Sequence, residues 1–348
     1  MTIPESCEKI LQEIQENIPE NHGFIRDYLI DQTNRFSSHQ CQKEITKAIS
    51  SLAIQSLSTE EFQQYISHLI QPEPIIQAVL DAATFFLQEK KFQKTETYLD
   101  YILPYANGNP KEKEDVAFVS FRDFIEYAYY AMYLNPESEL PVYPYLGTEI
   151  LFVLGKICAG KEKRSRAFAI FTYLARVSPV NDEILFEIAE LYRNKGELED
   201  YRKITNRCFT YAWRPEELAH AYRNMGYYFT ESRDYEIAIT CYLMGTTWEE
   251  SPVTAREISY ITEISGITPD ISDLISHGHK LLEKNDVPFG PNPEMTDLMI
   301  QYAKECKDEG DFFEARKYLS RAKALQLSDD LEKQITSIER FMEDSFIF

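Results

Sequence analysis

The sequence predicts an all-α fold, and three observations lead to this prediction. Apolar residues recur at steps of three and four through most of the chain, as they do along one face of an α-helix. No alternating apolar and polar stretch typical of a β-strand runs far, and only 12 of the 348 residues are glycine. The helical stretches also come in pairs joined by short turns, which is typical of helical hairpins.

The composition favours a folded, acidic protein. Hydrophobic residues make up 44% of the chain, enough to build a core. The chain has 36 Lys and Arg against 57 Asp and Glu, so its formal charge is −21. Such a surface repels phosphate backbones and anionic lipid headgroups, which disfavours nucleic acid and membranes as partners. No apolar run has the length of a membrane span, and the first residues do not resemble a secretion signal, so we expect a cytoplasmic protein.

The cysteines are predicted to be buried core thiols in a reducing compartment. No two of them form a CxxC pair, and several lie on the apolar faces of predicted helices. Disulfides and metal sites are the alternatives that this interpretation sets aside. The six positions are Cys7, Cys41, Cys158, Cys208, Cys241 and Cys306.

Residues 1–70 are predicted to form four helices without a recognisable repeat. Asn21 is a plausible cap of the second helix, and Ser58 with Glu61 matches the capping box that begins the fourth. A separate bundle and a set of divergent repeats explain this region equally well. The predicted helices cover residues 5–18, 21–36, 39–56 and 58–70.

From residue 71 onward, a repeating pattern of paired helices is predicted. The first helix of each clear pair carries a small residue, and these residues are 72, 34, 37 and 77 positions apart. The two long intervals contain an irregular unit and a degenerate pair, residues 253–265 and 270–284. A last helix, residues 328–344, is predicted to cap the array with a polar outer face. The clear pairs cover residues 73–106, 145–179, 181–215, 217–252 and 295–327, and the small residues are Ala83, Gly155, Ala189, Gly226 and Ala303.

One predicted helix, residues 116–134, is unusually aromatic. Three prolines follow it within a nine-residue window, and no helix can continue through that spacing. The helix is either buried on several sides or presents an apolar surface to a partner or to a second copy of the chain. The candidate residues for such an interface are Phe121, Phe124, Tyr129 and Tyr133.

The paired helices resemble tetratricopeptide repeats, whose period is about 34 residues. The likeness is strongest where Gly226 and Ala238 face each other between two predicted helices. It implies a right-handed superhelical α-solenoid that follows an N-terminal helical region. It also implies that the first helices of the repeats line a concave groove for a peptide or partner helix.

The groove expected from this resemblance draws its residues from three first helices. Phe186 and Tyr227 would offer apolar contact, the carboxylates would favour a basic peptide, and Arg193 with Arg223 could hold a carboxylate. The alternative is an ordinary solvated helix face. The candidates are Phe152, Lys156, Glu183, Phe186, Glu190, Arg193, Arg223, Asn224 and Tyr227.

The sequence therefore predicts a non-catalytic scaffold or adaptor that needs no cofactor. It contains no phosphate-binding loop, nucleophile elbow or HExxH motif. His277 and His279 are two positions apart, so a helix would point them away from each other and from a shared metal. The alternative function is a bacterial peptide-sensing regulator, either a response-regulator phosphatase or a transcription factor, with its effector region in residues 1–70.

Overall fold

A computed structural model describes most of the chain, and it confirms the all-α prediction. Eighteen α-helices and no β-strand occur within the described ranges. No helix there is both long and apolar enough to cross a membrane. The described residues are 5–68, 72–106, 118–135, 137, 139–266, 270–326 and 328–345.

The helices follow one another closely along the chain. Those of the first half are α1 Glu5–Glu16, α2 Ile25–Arg35, α3 Gln42–Ser56, α4 Thr59–Ser67, α5 Pro72–Gln88, α6 Phe92–Ile102, α7 Phe124–Tyr129, α8 Tyr145–Gly160 and α9 Arg164–Val177. Those of the second half are α10 Asp182–Lys195, α11 Leu198–Tyr211, α12 Pro215–Glu231, α13 Tyr235–Thr246, α14 Pro252–Ser265, α15 Ile271–Lys284, α16 Pro293–Glu309, α17 Phe312–Leu325 and α18 Asp329–Ser345.

Backbone contacts divide the chain into two compact units. The first unit contains residues 1–115 and 144–174, and the second contains residues 116–143 and 175–348. In the first unit α3 packs on α5, and α8 packs on both α5 and α6. The division at residue 70 that the sequence suggests stays a prediction, although α3 and α5 lie on either side of it and are in contact.

The start of α4 shows how local sequence determines a helix end. The Ser58 side chain accepts the backbone N–H of Glu61, and the Glu61 carboxylate accepts the backbone N–H of Ser58. This reciprocal pair satisfies two backbone donors that the helix leaves free, so the predicted capping box is confirmed. At Asn21, by contrast, the cap precedes a single 3₁₀ turn, and α2 begins only at Ile25.

The cysteine prediction is wrong for one pair. Cys7 and Cys41 form a disulfide whose Cα atoms are 6.2 Å apart, and it joins α1 to the residue before α3. The spacing along the chain could not reveal this pair, because the packing of the two helices brings them together. The other four cysteines are buried free thiols, as predicted.

Small residues let the paired helices approach closely. A Cβ added at Gly155 would lie 2.6 Å from the ring of Phe171, and one added at Gly226 would lie 2.8 Å from the ring of Tyr242. Both distances are too short for a real contact, so only glycine fits at these crossings without movement of the aromatic ring. The predicted close crossing at Gly226 is therefore confirmed.

The turns of the clear hairpins share a backbone feature that the sequence did not suggest. Each contains one residue with positive φ, and each of these residues lies seven positions after the small residue of its hairpin. The five turns therefore share the same backbone conformation at one equivalent position. How the hairpins stack into a larger array stays a prediction. The residues are Lys90 (φ 55°), Glu162 (φ 57°), Gly196 (φ 75°), Arg233 (φ 64°) and Gly310 (φ 86°).

Substituting Arg233 with Gly is expected to stabilise the protein by up to about 1 kcal/mol. A left-handed conformation costs a non-glycine residue about 1–2 kcal/mol, and the greater freedom of glycine in the unfolded chain offsets part of the gain. Urea unfolding measures the difference. The matched control is Arg256→Gly in the exposed interior of α14, which should destabilise the protein by about 1 kcal/mol. Equal destabilisation by both changes would contradict the role of the positive φ.

The predicted aromatic helix, residues 116–134, is wrong at its N-terminal end. Residues 116 and 117 lie outside the described ranges, and α7 begins only at Phe124 and continues as a π-helical turn, Tyr130–Leu134. Val119 instead forms an isolated bridge with Val142, and its backbone groups bond to Pro141 and Tyr143. The prolines keep residues 141–144 extended, so this segment offers backbone partners that hold the preceding residues out of a helix.

Candidate functional site

The first helices of two neighbouring hairpins, α10 and α12, form one continuous surface in the second unit. The rings of Phe186 and His220 stack with centroids 3.9 Å apart and an interplanar angle of 13°. Two turns further along, the Arg193 guanidinium lies 5.2 Å from the ring centroid of Tyr227. We call this surface the α10–α12 face, and its residues are Glu183, Phe186, Glu190, Arg193, His220, Arg223 and Tyr227.

Two of the predicted contact residues are less exposed than the sequence suggested. Phe186 is 8% exposed because His220 covers its ring, and Asn224 is 9% exposed within α12. Partial burial, and then Arg223 and Arg193, lower the pKa of His220 to about 4, although part of the ring remains open to solvent. The imidazole is therefore neutral near pH 7. Its ring, and not the ring of Phe186 beneath it, offers the aromatic surface at this position.

Phe152 and Lys156 lie on α8 in the first unit. Phe152 is buried against Phe171, and the Lys156 ammonium lies 5.5 Å from the Phe152 ring centroid. Both of these contacts lie within the first unit. The extension of the groove to α8 stays a prediction.

Both arginines of the α10–α12 face already have carboxylate partners. Arg193 pairs with Glu190 on its own helix, and Arg223 pairs with Glu249 at 2.9 Å. A ligand carboxylate would have to displace one of these partners. Binding of a ligand carboxylate by Arg193 and Arg223 is therefore less favourable than binding of a basic ligand by the carboxylates around them.

Tyr227 is the centre of an acidic site on this surface. Burial, and then the carboxylates of Glu231, Glu190 and Glu257, raise the pKa of Tyr227 against the opposing effect of Arg193. Among the described ion pairs none involves Glu231 or Glu257. The acidic site, formed by Glu190, Tyr227, Glu231 and Glu257, therefore carries a surplus of negative charge.

Helix α14 adds exposed apolar side chains next to the acidic site. Val253, Tyr260 and Ile264 are 42%, 52% and 46% exposed. With Glu257 they are spaced by four, three and four residues, so they share one face of the helix. The sequence offered this signal, but the segment was interpreted only as a degenerate repeat, and these residues were missed.

A buried ionic cluster lies where α7, α10 and α12 meet. The Arg122 guanidinium binds Asp182 at 2.7 Å and Glu183 at 2.9 Å, and it also pairs with Glu126. Its distance to Glu217 is 3.6 Å. Glu126 and Asp182 are fully buried. The Arg122 guanidinium compensates the negative charge that their ionised forms place inside the protein, which would otherwise be very unfavourable.

Arg214 completes this cluster from the residue before α12. It binds Glu183 at 2.8 Å and pairs with Glu217, whose carboxylate also accepts the backbone N–H groups of Trp213 and Arg214. Two guanidinium groups thus face four carboxylates. We call this set the Arg122 cluster, and its members are Arg122, Glu126, Asp182, Glu183, Arg214 and Glu217.

The carboxylates of the Arg122 cluster differ in their acidity. Burial raises the pKa of Asp182 well above its ordinary value, and burial likewise raises the pKa of Glu126. For Glu183, Arg122 and Arg214 outweigh burial and lower the pKa. Within the described residues the Asp182 Oδ2 atom is buried without a hydrogen-bond partner, which also favours the protonated acid. The arrangement clamps the first turns of α10 and α12 together.

Sequence reasoning missed the Arg122 cluster because its members are far apart in the chain. Arg122 and Asp182 are separated by 60 residues. The only local signal was the pairing of acidic residues in the first turns of α10 and α12, where the helix dipole favours them. That signal predicts solvated carboxylates equally well.

The aromatic residues predicted to form an interface have different surroundings. Tyr129 is buried and its hydroxyl donates to Glu294 at 2.9 Å, while Phe121 is half-buried. Phe124 and Tyr133 are exposed, and Phe124 stacks on Tyr302 with centroids 4.0 Å apart. Tyr129 is therefore a core residue, and an interface through the remaining residues stays a prediction.

Comparison with known proteins identifies no family for this chain. No protein-family model matches it, and no curated protein is significantly similar to it. Within the described residues, no group of three or more His, Cys, Asp or Glu side chains is placed to hold a metal ion. Functional inference therefore depends on the α10–α12 face, the acidic site and their surroundings.

Proposed function

We propose that this chain is a non-catalytic scaffold that binds a basic peptide or helix of another protein along α10, α12 and α14. The observation that carries the proposal is the acidic site around Tyr227. Its carboxylates at Glu231 and Glu257 have no cationic partner among the described residues. A lysine or arginine side chain of a partner would supply the missing charge.

Aromatic and apolar groups near the acidic site support the same partner. His220 lies on α12 two turns before Tyr227, and the exposed side chains Tyr260 and Ile264 lie on the face of α14 that carries Glu257. Protein interfaces combine apolar contact with charged groups that give specificity. An amphipathic basic segment would satisfy both parts of this surface.

The repeated hairpins support a scaffold of the tetratricopeptide kind. Equivalent positive-φ turns and close helix crossings recur at the intervals expected from the sequence. Repeat arrays present the first helices of successive hairpins as one extended binding surface. The formal charge of −21 would also speed the association of a basic partner.

The test uses synthetic peptides of equal length and equal apolar content that differ only in being basic, neutral or acidic. Fluorescence anisotropy at physiological ionic strength should detect binding of the basic peptide alone. The double variant Glu231→Gln with Glu257→Gln should weaken that binding about five- to tenfold, since each partly exposed ion pair contributes up to about 1 kcal/mol.

The matched control is the double variant Asp308→Asn with Glu309→Gln, which changes the net charge equally at an exposed end of α16. It should leave the affinity almost unchanged. If both double variants weaken binding by the same factor, the attraction reflects total charge and the proposed site is wrong.

A further inference from the structure

A cavity in the first unit lies between α3 and α5, with one residue from the start of α6. Its volume is about 540 Å³, within the range of about 300–1,000 Å³ that is usual for small-molecule sites. Most of its lining is carbon, because five apolar side chains contribute to it. The lining residues are Ser51, Ile54, Gln55, Ala78, Asp81, Ala82, Phe85, Phe86 and Lys94.

The polar part of this lining contains one cation that lacks a carboxylate. The Lys94 ammonium lies 4.3 Å from the ring centroid of Phe86, and no described ion pair involves it. Of the nearby lysines, Lys47 pairs with Asp81 at 2.7 Å and Lys91 pairs with Glu89, whereas no described ion pair involves Lys90. The pairing with Lys47 also neutralises the only carboxylate of the cavity lining.

Lys94 is an exposed cation at the edge of an apolar cavity, where it can meet an anionic head group. The Lys94 ammonium rests on the ring of Phe86, which holds it at the cavity. The ring is not an anion, so the positive charge of Lys94 remains available to a ligand. Gln55, near the end of α3, adds amide N–H donors to the same lining.

We propose that this cavity binds an aliphatic monocarboxylate. The hydrocarbon chain would lie against Ile54, Ala82 and Phe85, and the carboxylate would pair with Lys94 and accept a hydrogen bond from Gln55. The site belongs to the first unit and does not depend on the peptide surface of the second.

The charges of the lining select this ligand class over its alternatives. An aliphatic cation would place its head group beside Lys94 and would be repelled. A dianionic phosphate head group would require more than one cation, and Lys47 is already paired with Asp81. An uncharged alcohol of the same length would fill the apolar part but leave the charge of Lys94 without a counterion.

Isothermal titration calorimetry on the full chain tests the proposal with dodecanoate below its micelle concentration. Dodecanol and dodecyltrimethylammonium are the matched neutral and cationic probes. Dodecanoate should bind one molecule per chain, and Lys94→Gln should weaken it about fivefold, as expected for a partly exposed ion pair. Lys91→Gln is the control, because it removes the same charge outside the cavity.

A second variant tests the cavity itself. Ala82 is half-buried in the lining, so Ala82→Phe should fill the space with little effect on the core, and should abolish binding while the thermal midpoint is retained. Equal effects of Lys94→Gln and Lys91→Gln would overturn the proposal. So would unchanged binding in Ala82→Phe, several molecules bound per chain, or tighter binding of a short peptide that ends in a leucine carboxylate.

Discussion

Substituting Arg122 with Met is expected to lower the free energy of unfolding by about 3–5 kcal/mol, the usual cost of removing one partner from a buried ion pair. Arg122 binds Asp182, Glu183 and Glu126, and two of these carboxylates are fully buried. Without the guanidinium these buried groups lose a hydrogen-bond donor and the positive charge that compensates their ionised forms. Methionine keeps much of the side-chain volume, so the loss reports mainly on charge and hydrogen bonding.

Urea unfolding at neutral pH, followed by circular dichroism, measures this effect. The control is Arg26→Met, which removes a partly exposed pair with Asp27 and should cost at most about 1 kcal/mol. Arg122→Lys should fall between the two, because an ammonium keeps the charge but cannot bind several carboxylates with the geometry of a guanidinium. A loss below about 1 kcal/mol in Arg122→Met would show that the buried carboxylates do not depend on this residue.

Substituting Gly226 with Val is expected to destabilise the protein by about 1–3 kcal/mol, the usual cost of overpacking a core. Even the first added carbon would lie 2.8 Å from the ring of Tyr242, and Tyr242 is 2% exposed with little room to move. The better helix propensity of valine offsets only a few tenths of a kcal/mol of this loss.

A double-mutant cycle with Tyr242→Leu identifies the cause. The smaller side chain should make room for valine, so the double variant should be more stable than the sum of the two single losses by about 0.5–3 kcal/mol. Ala255→Val, in the exposed interior of α14, controls for the effect of a β-branched residue on a helix. Strictly additive losses would mean that Gly226 and Tyr242 do not constrain each other.

Local patterns were sufficient to predict most of the helices. The hairpin of α12 and α13 follows from apolar residues at steps of three and four, and the start of α4 follows from Ser58 and Glu61. These signals succeed because a helix is built from contacts within four residues. The same logic failed at residues 118–123, where backbone bonds to residues 141–143 and 177 hold the chain extended from Phe118 to Ser120.

The candidate site was predicted only in part. Glu190, Arg193 and Tyr227 were named from their helix positions, and the structure brings all three together. His220 and Glu257 were missed, because their importance depends on which neighbouring helix they face. No periodicity within one helix contains that information.

The sequence by itself determined that the chain is helical, where its clear hairpins lie, and that their turns recur at related intervals. Only the tertiary structure decided which charges are compensated. It buried Asp182 against Arg122, joined Cys7 to Cys41, and formed no ion pair to Glu231 or Glu257 among the described residues. The physical reason is that helix formation is local, whereas burial and charge pairing depend on residues that the packing of helices brings together from distant parts of the chain.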